Sequence, residues 1–309
     1  MSNFQGEVLA ELTRNGLVES VHAGHLVILN SDGSVDLSKG DISAPIFPRS
    51  SVKVIQATAM VRAGLKLPAD LLALVCSSHS GSKLHQDSVL KILEGVNLNE
   101  SDLQCAFDKP LGEKERSEWG AREATRLAMN CSGKHAGMLA ACVAAGWDTK
   151  NYLNQDHPLQ VSYLKELEEL AEEKVANETF DGCGAPLFLV SMHGLAKAFY
   201  NLATSTDPVH KQVISACLAH PEMVAGIGRS DTELMQAVPD LFLKIGAEGV
   251  QAAFYKDGRT VVFKVSDGSE RAHGVILQDA FAKMGLNFDV KRPEVFGAGK
   301  VIGEIRAAK

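Results

Sequence analysis

Two kinds of hydrophobic spacing divide the chain. Near its start, Val18 to Ala23 and His25 to Asn30 are short runs rich in Val, Ile and Leu, and Ser31-Asp32-Gly33 separates the second from Val35. Such runs around a turn predict an antiparallel edge. After Pro45 and Pro48 the spacing changes, with Val52, Ile55, Gln56, Ala59, Met60 and Ala63 recurring every three or four residues up to Gly64. This predicts a helix starting near Ser50. Leu71 to Cys76 is a short apolar run, a buried strand or a helix end, that stops at the hydroxyl-rich loop Ser77-Ser78-His79-Ser80-Gly81. Helical spacing then covers Gln86 to Leu93, Gly120 to Met129, Lys134 to Ala145, Leu159 to Val175, Ser191 to Leu202 and His210 to His220. From Asp240 strand signals return in Leu241 to Ile245, Val250 to Tyr255 and Val261 to Val265, the last two joined by the hairpin turn Lys256-Asp257-Gly258-Arg259. A final helix spans about Ala272 to Met284.

Strands at both ends with helices between predict an α+β architecture: a mixed or antiparallel sheet built from the N- and C-terminal segments and packed with a helical lobe. No Pro/Ser/Gly-rich linker, low-complexity tract or internal repeat marks a seam. The expectation is one domain over 1–309 with two lobes, the sheet lobe about 1–47 and 240–309 and the helical lobe about 48–239. An active site is expected where the lobes meet. With 45% hydrophobic residues the 309-residue chain can bury a large core. The formal net charge is −7, and no Lys/Arg cluster could follow a phosphate backbone, which argues against nucleic acid as a partner. No apolar run reaches the ~20 residues a bilayer needs. The N-terminal MSNFQGEVLAELTRNG has neither a basic start nor an uninterrupted apolar stretch. Cys76, Cys105, Cys131, Cys142, Cys183 and Cys217 lack the dense pattern of a secreted scaffold. A cytoplasmic protein without disulfides or a membrane partner is expected.

The sharpest local feature is Ser50-Ser51-Val52-Lys53, where positions three apart on a helix bring the Ser50 hydroxyl to the Lys53 amine. A serine beside a lysine is a nucleophile and its base only if the amine is partly neutral. The same residues also describe a hydroxyl-capped helix start with a solvated lysine. Ser77 to Ser82 places His79 among hydroxyls, or forms a polar turn capping the next helix. Lys244 lies inside an apolar strand just before Gly246, a burial that an edge strand would relieve. Asn130-Cys131-Ser132-Gly133-Lys134-His135 joins a thiol, an amine and an imidazole, and Asp181-Gly182-Cys183-Gly184 joins a carboxylate and a thiol. These could hold a metal, although neither segment has the C-x-x-C pairing of a structural zinc site. A cysteine nucleophile with His135 as base, or inert buried thiols, are the alternatives. Gly226-Ile227-Gly228-Arg229 contains G-x-G with no strand leading into it, so it reads as a glycine-lined loop presenting Arg229 to an anion and not as a dinucleotide site.

Taken together, these segments resemble the Rhizobium-type L-asparaginases, the asparaginase II family. The resemblance runs in order through His25 to Gly33, Pro48 to Gln56, Cys76 to Gly81, Asn130 to Leu139, Asp181 to Pro186, His220 to Met235 and Lys244 to Gly249. It implies hydrolysis of L-asparagine to L-aspartate and ammonia on a fold similar to serine β-lactamases and glutaminases. It also implies two Ser-Lys pairs, Ser50 with Lys53 and Ser78 with Lys244. Ser50 is taken as the nucleophile and Lys53 as its base, the opposite assignment of the two serines being the alternative. A zinc ion (Zn2+) would fall on Cys131, Lys134 and Cys183, with Asp181 close by through water. Arg49, His135, Asp181 and Arg229 would face the substrate, and a homodimer is expected. A lysine binds metal only as the neutral amine, so low pH should strip such a site. One departure is that Ser82 and Lys83 follow Gly81 where the family commonly has an acidic residue, although His85 still matches. Competing readings are a penicillin-interacting protein or β-lactamase of the same fold, a glutaminase-like serine amidohydrolase, and a non-enzymatic protein that binds small amides.

Overall fold

The dense β-branched runs and the three-to-four spacing resolve into twelve strands and eleven helices in a computed structural model that describes residues 6–175 and 178–308. Of the N-terminal segment read above, residues 1–5 lie outside the described residues. The first half of the chain contains β1 (Glu7–Arg14), β2 (Leu17–Leu29), β3 (Val35–Lys39), β4 (Pro45–Ile46), α1 (Lys53–Arg62), α2 (Ala69–Val75), α3 (Lys83–Glu94), α4 (Glu113–Trp119) and α5 (Ser132–Ala145). There follow α6 (Pro158–Ala171), β5 (Glu178–Phe180), β6 (Pro186–Phe188), β7 (Val190–Ser191), α7 (Met192–Thr204), α8 (Pro208–Ala219), α9 (Pro221–Val224) and α10 (Ser230–Ala237). The chain closes with β8 (Leu241–Gly246), β9 (Val250–Tyr255), β10 (Thr260–Val265), α11 (His273–Lys283), β11 (Glu294–Gly297) and β12 (Lys300–Ala307). The fold is α+β, and the chain divides into two units.

The sheet unit comprises residues 1–51, 190–204 and 243–309. The helix at 192–204, expected in the helical lobe, thus belongs with the sheet. Its strands run in the order β11-β12-β1-β2-β10-β9-β8, with β3 also paired to β2, so N- and C-terminal segments share one sheet. The pairings are antiparallel. Thr260 lies opposite Phe254, which puts both on one face and Phe263 on the other. Phe254 meets Phe199 of α7, and Phe263 meets His273 of α11. A helix on each face explains why β8, β9 and β10 read as unbroken apolar runs and not as alternating ones.

Two runs expected as separate strands form the single 13-residue β2. Gly24 does not break it, because a Cβ there would come within 2.1 Å of the Lys264 carbonyl oxygen. The glycine marks a close approach of neighbouring backbones. Strands β1, β11 and β12 carry no sequence expectation, since their residues are mostly half-buried or exposed and lack the dense apolar run.

The helical unit comprises residues 52–189 and 205–242. Within it α2 packs across α5. A Cβ on Gly133 would lie 2.5 Å from the Leu74 carbonyl oxygen, and one on Gly137 2.6 Å from the Val75 methyls. Spaced four apart, the two glycines form one notch on α5 into which α2 fits. The expected helix over Gly120 to Met129 is absent among the described residues. Instead α4 ends at Gly120, whose φ of +58° turns the chain, and Thr125 forms a β-bridge with Asp108. All six cysteines are free and buried. Among the described residues no helix is long and apolar enough to cross a membrane.

Candidate active site

The loop after α2 is held from both sides. The Ser78 and Ser80 N–H groups donate to the Val224 and Ala225 carbonyls at 3.0 and 2.8 Å, and the His79 N–H donates to Asn130 at 3.1 Å. His79 Nδ1 accepts from the Gly81 N–H, so its Nε2–H donates to Ser132 Oγ at 2.8 Å. Complete burial keeps this imidazole well below its ordinary pKa and hence neutral. Ser77 to Ser80 are buried, so the hydroxyl-rich stretch is an interior loop and not a surface turn.

Lys53, at the first turn of α1, is 1% exposed and reaches this loop. Its Nζ contacts the Ser77 carbonyl, Ser78 Oγ at 3.1 Å and Cys131 Sγ at 3.0 Å. A carbonyl oxygen can only accept, so Lys53 donates to Ser77. Toward Ser78 the bond can run either way. As an ammonium Lys53 donates there; as a neutral amine it keeps two N–H groups for Ser77 and Cys131 and offers its lone pair to the Ser78 proton. The hydroxyl among these partners is that of Ser78, where the i, i+3 spacing had pointed to Ser50.

Cys131, the residue before α5, links this pair to a second cluster. Its sulfur lies 3.0 Å from Asn130 Oδ1 and hydrogen-bonds Cys183, while Lys134 Nζ lies 3.1 Å from Cys183 Sγ. Cys183 is carried by the tight loop between the paired strands β5 and β6, where the Asp181 N–H bonds Ala185 and Gly184 takes a φ of +85°. The hydrogen bond from Cys131, aided by Lys134 and His135, holds Cys183 well below the ordinary thiol value against its burial. The same bond, with burial, pushes Cys131 well above it. Burial favours a neutral Lys134, but the two sulfurs and Asp181 outweigh it and hold the amine above its usual value. The cluster is thus an ammonium–thiolate pair with a neighbouring thiol.

Its donor set fits a zinc ion. Two sulfurs and one amine nitrogen converge in a buried pocket, and both Lys134 and Cys131 would release a proton on binding. Among the described residues no group of three or more His, Cys, Asp and Glu side chains is arranged for a metal, so a site here would need the Lys134 amine as a donor. Asp181 acts on Lys134 through its charge, and its Oδ1 accepts from the Gly182 N–H.

The remaining expected residues are placed as follows. Arg49 and Ser50 lie half-buried in a 3-10 turn of the sheet unit, with Arg49 at a φ of +53°, a strained value for a side chain of this size. Ser51 Oγ donates to the Pro48 carbonyl at 2.7 Å, and no side chain among the described residues caps the start of α1. Lys244 is fully buried in β8 and donates to the Ile245 carbonyl. Two residues on, a Cβ at Gly246 would fall 2.5 Å from the Pro48 carbonyl, so the turn bearing Ser50 presses on the end of Lys244's strand. Arg229 is half-buried at the start of α10, and its N–H closes a turn to Gly226. His135 is buried on α5 beside Cys183. Asn130 and Tyr152 also touch the cluster; Tyr152, in a loop beyond α5, carries no motif that sequence spacing could reveal.

The sequence model of the L-asparaginase II family matches residues 10–307. The chain belongs to the L-asparaginase II family. No curated protein sequence matches this family member. Solved structures similar to it are distant: Mglu in its native form has 12% identity, covers 85% of this chain and 64% of its own, and has a TM-score of 0.47. A putative beta-lactamase from Bacteroides dorei has 11% identity, covers 85% of this chain and 93% of its own, and has a TM-score of 0.47. A Bacillus glutaminase has 12% identity, covers 87% of each chain, and has a TM-score of 0.36.

Proposed function

We infer that this chain is an amidohydrolase that cleaves L-asparagine to L-aspartate and ammonia, with Ser78 as nucleophile and Lys53 as its base. Family membership supports the reaction class, and the buried 3.1 Å contact between Lys53 Nζ and Ser78 Oγ carries the assignment. With two N–H groups spent on Ser77 and Cys131, a neutral Lys53 takes the Ser78 proton as Oγ attacks the side-chain amide carbon. Returned to the amide nitrogen, that proton lets the C–N bond break and ammonia leave. Water, deprotonated by the same amine, then attacks the aspartyl ester, and the proton passes to Ser78 Oγ as the C–O bond breaks and aspartate leaves. Base assistance of this kind contributes roughly 10²–10⁴-fold in rate. Zinc held by Cys131, Lys134 and Cys183 would supply a positive centre for the charged end of the substrate. Cys131 and the Lys53 pair adjoin in the same unit, which supports placing that end beside the reacting hydroxyl.

Ammonia release from L-asparagine, L-glutamine and a β-lactam control tests the reading directly. Release from L-asparagine that Ser78→Ala abolishes and that leaves the fold intact is expected. Full activity in Ser78→Ala together with loss in Ser50→Ala would return the nucleophile to Ser50. Acylation by the β-lactam with no amide turnover would replace the function itself.

A further inference from the structure

His135 sits at full burial on α5, and its two nitrogens differ sharply. Nδ1 lies 2.8 Å from the Tyr152 hydroxyl, with the rings edge-on at 5.7 Å. Nε2 is enclosed and interacts with the Cys183 sulfur beside it, at a geometry short of a full hydrogen bond. The Tyr152 hydroxyl accepts from the Gln104 backbone N–H at 3.0 Å, and Gln160 Nε2 pins the Tyr152 carbonyl at 2.7 Å. Burial pushes the phenol up and keeps its proton on. A phenol has one proton to give. With the Gln104 N–H already on its oxygen, that proton goes to Nδ1; an Nδ1–H imidazole would instead leave the buried O–H with no acceptor, which is costly.

The geometry points to Tyr152 as a positioning residue that locks His135 in the Nε2–H tautomer, making the imidazole a donor to the Cys183 sulfur and not a metal ligand. Two consequences follow from the hydrogen count. The lone pair a metal would need is turned away toward Tyr152, so Lys134 stays the third donor. A sulfur that receives an N–H is also held in orientation, as outer-sphere partners of metal ligands generally act. The consequence for zinc rests on the proposed reading of Cys183 as a ligand; the tautomer itself does not depend on it.

Long-range proton–nitrogen NMR on the full-length, metal-free, nitrogen-15-labelled chain tests it. The expected wild-type spectrum has His135 protonated at Nε2 and bare at Nδ1, with the Nε2–H signal shifting in Cys183→Ala. Tyr152→Phe should bring up the second tautomer and weaken zinc binding, measured by chelator competition, about 10-fold. Because His135→Gln keeps an amide donor near the Nε2 position without needing the phenol, adding Tyr152→Phe to it should cost no further zinc affinity. A purely structural Tyr152 would give additive losses. A proton on Nδ1 in the wild type, or an Nε2–H signal indifferent to Cys183→Ala, overturns the inference even if Tyr152→Phe fails to fold. Absence of zinc binding in the wild type would sink the metal reading, while the wild-type tautomer and the Cys183→Ala shift would still decide this one.

Discussion

The helical unit surrounds cations in two places by opposite means. Arg62 is met by carboxylates: its Nε lies 2.8 Å from Glu166 and its NH2 2.6 Å from Asp207, while His210 Nε2 lies 2.7 Å from Glu166. Lys53 and Lys134 are each 1% exposed, and their hydrogen bonds run to a carbonyl, a hydroxyl and thiols. A carboxylate that matches a cation fixes its charge, and the group becomes scaffolding. A hydroxyl or thiol beside an amine is instead a partner with which a proton can be exchanged. On the proposed function, the contrast is between a brace and a reactive centre within one unit.

The largest effect that would break this contrast is at Lys53. Lys53→Met should cut turnover by roughly 10²–10⁴-fold while thermal unfolding shows equal or greater stability, since an apolar side chain replaces a buried polar one. Retained activity, or a collapse in melting temperature, would mean that Lys53 is itself a brace. Next, Cys183→Ala should lower zinc content and affinity at least 10-fold, read by metal analysis and chelator competition; unchanged zinc would remove this residue from the donor set.

At the other cluster the outcome should invert. Glu166→Gln should leave turnover near wild type and cost about 1–2 kcal/mol in denaturant unfolding, a figure discounted because Arg62 is 40% exposed. Its pH dependence has a definite sign. Burial would raise the Glu166 carboxyl, but His210 and Arg62 override it and hold it below the ordinary 4.5. Its contribution is therefore complete above 4.5 and fades as pH falls through the folded-state value. The stability gap between wild type and Glu166→Gln should close in acid; a constant gap would show that the carboxylate charge is not what matters. The smallest effect is at the exposed helix pair Lys83–Asp87, where neutralising either partner should change stability by less than about 0.5 kcal/mol.

Much of the helical framework was legible from spacing: α1, α3, α5 and α8 begin or end within a few residues of where the apolar period starts or stops. The site was legible only in pieces. Lys53 and Ser78 each stood out, yet their contact spans 25 positions, and the i, i+3 rule sees only neighbours on one helix. The lysine side chain extends past its own turn to a loop delivered by α2. Tyr152 was invisible for a related reason, because a loop tyrosine acquires its meaning only when the Gln104 backbone and His135 are folded around its hydroxyl. The interruption at Gly24 misread as a strand boundary shows the converse, a local signal whose cause is a distant backbone.

Gly133 and Gly137 deserve a last thought as dimensions of a machine. Since α5 offers no side chain of its own at these two positions, the Leu74 backbone and the Val75 methyls seat directly on its main chain, and that fit sets the distance from the sulfur at the head of one helix to the loop at the tail of the other. One added methyl would act as a shim, prising a hydroxyl and a thiol out of register while each remained chemically whole.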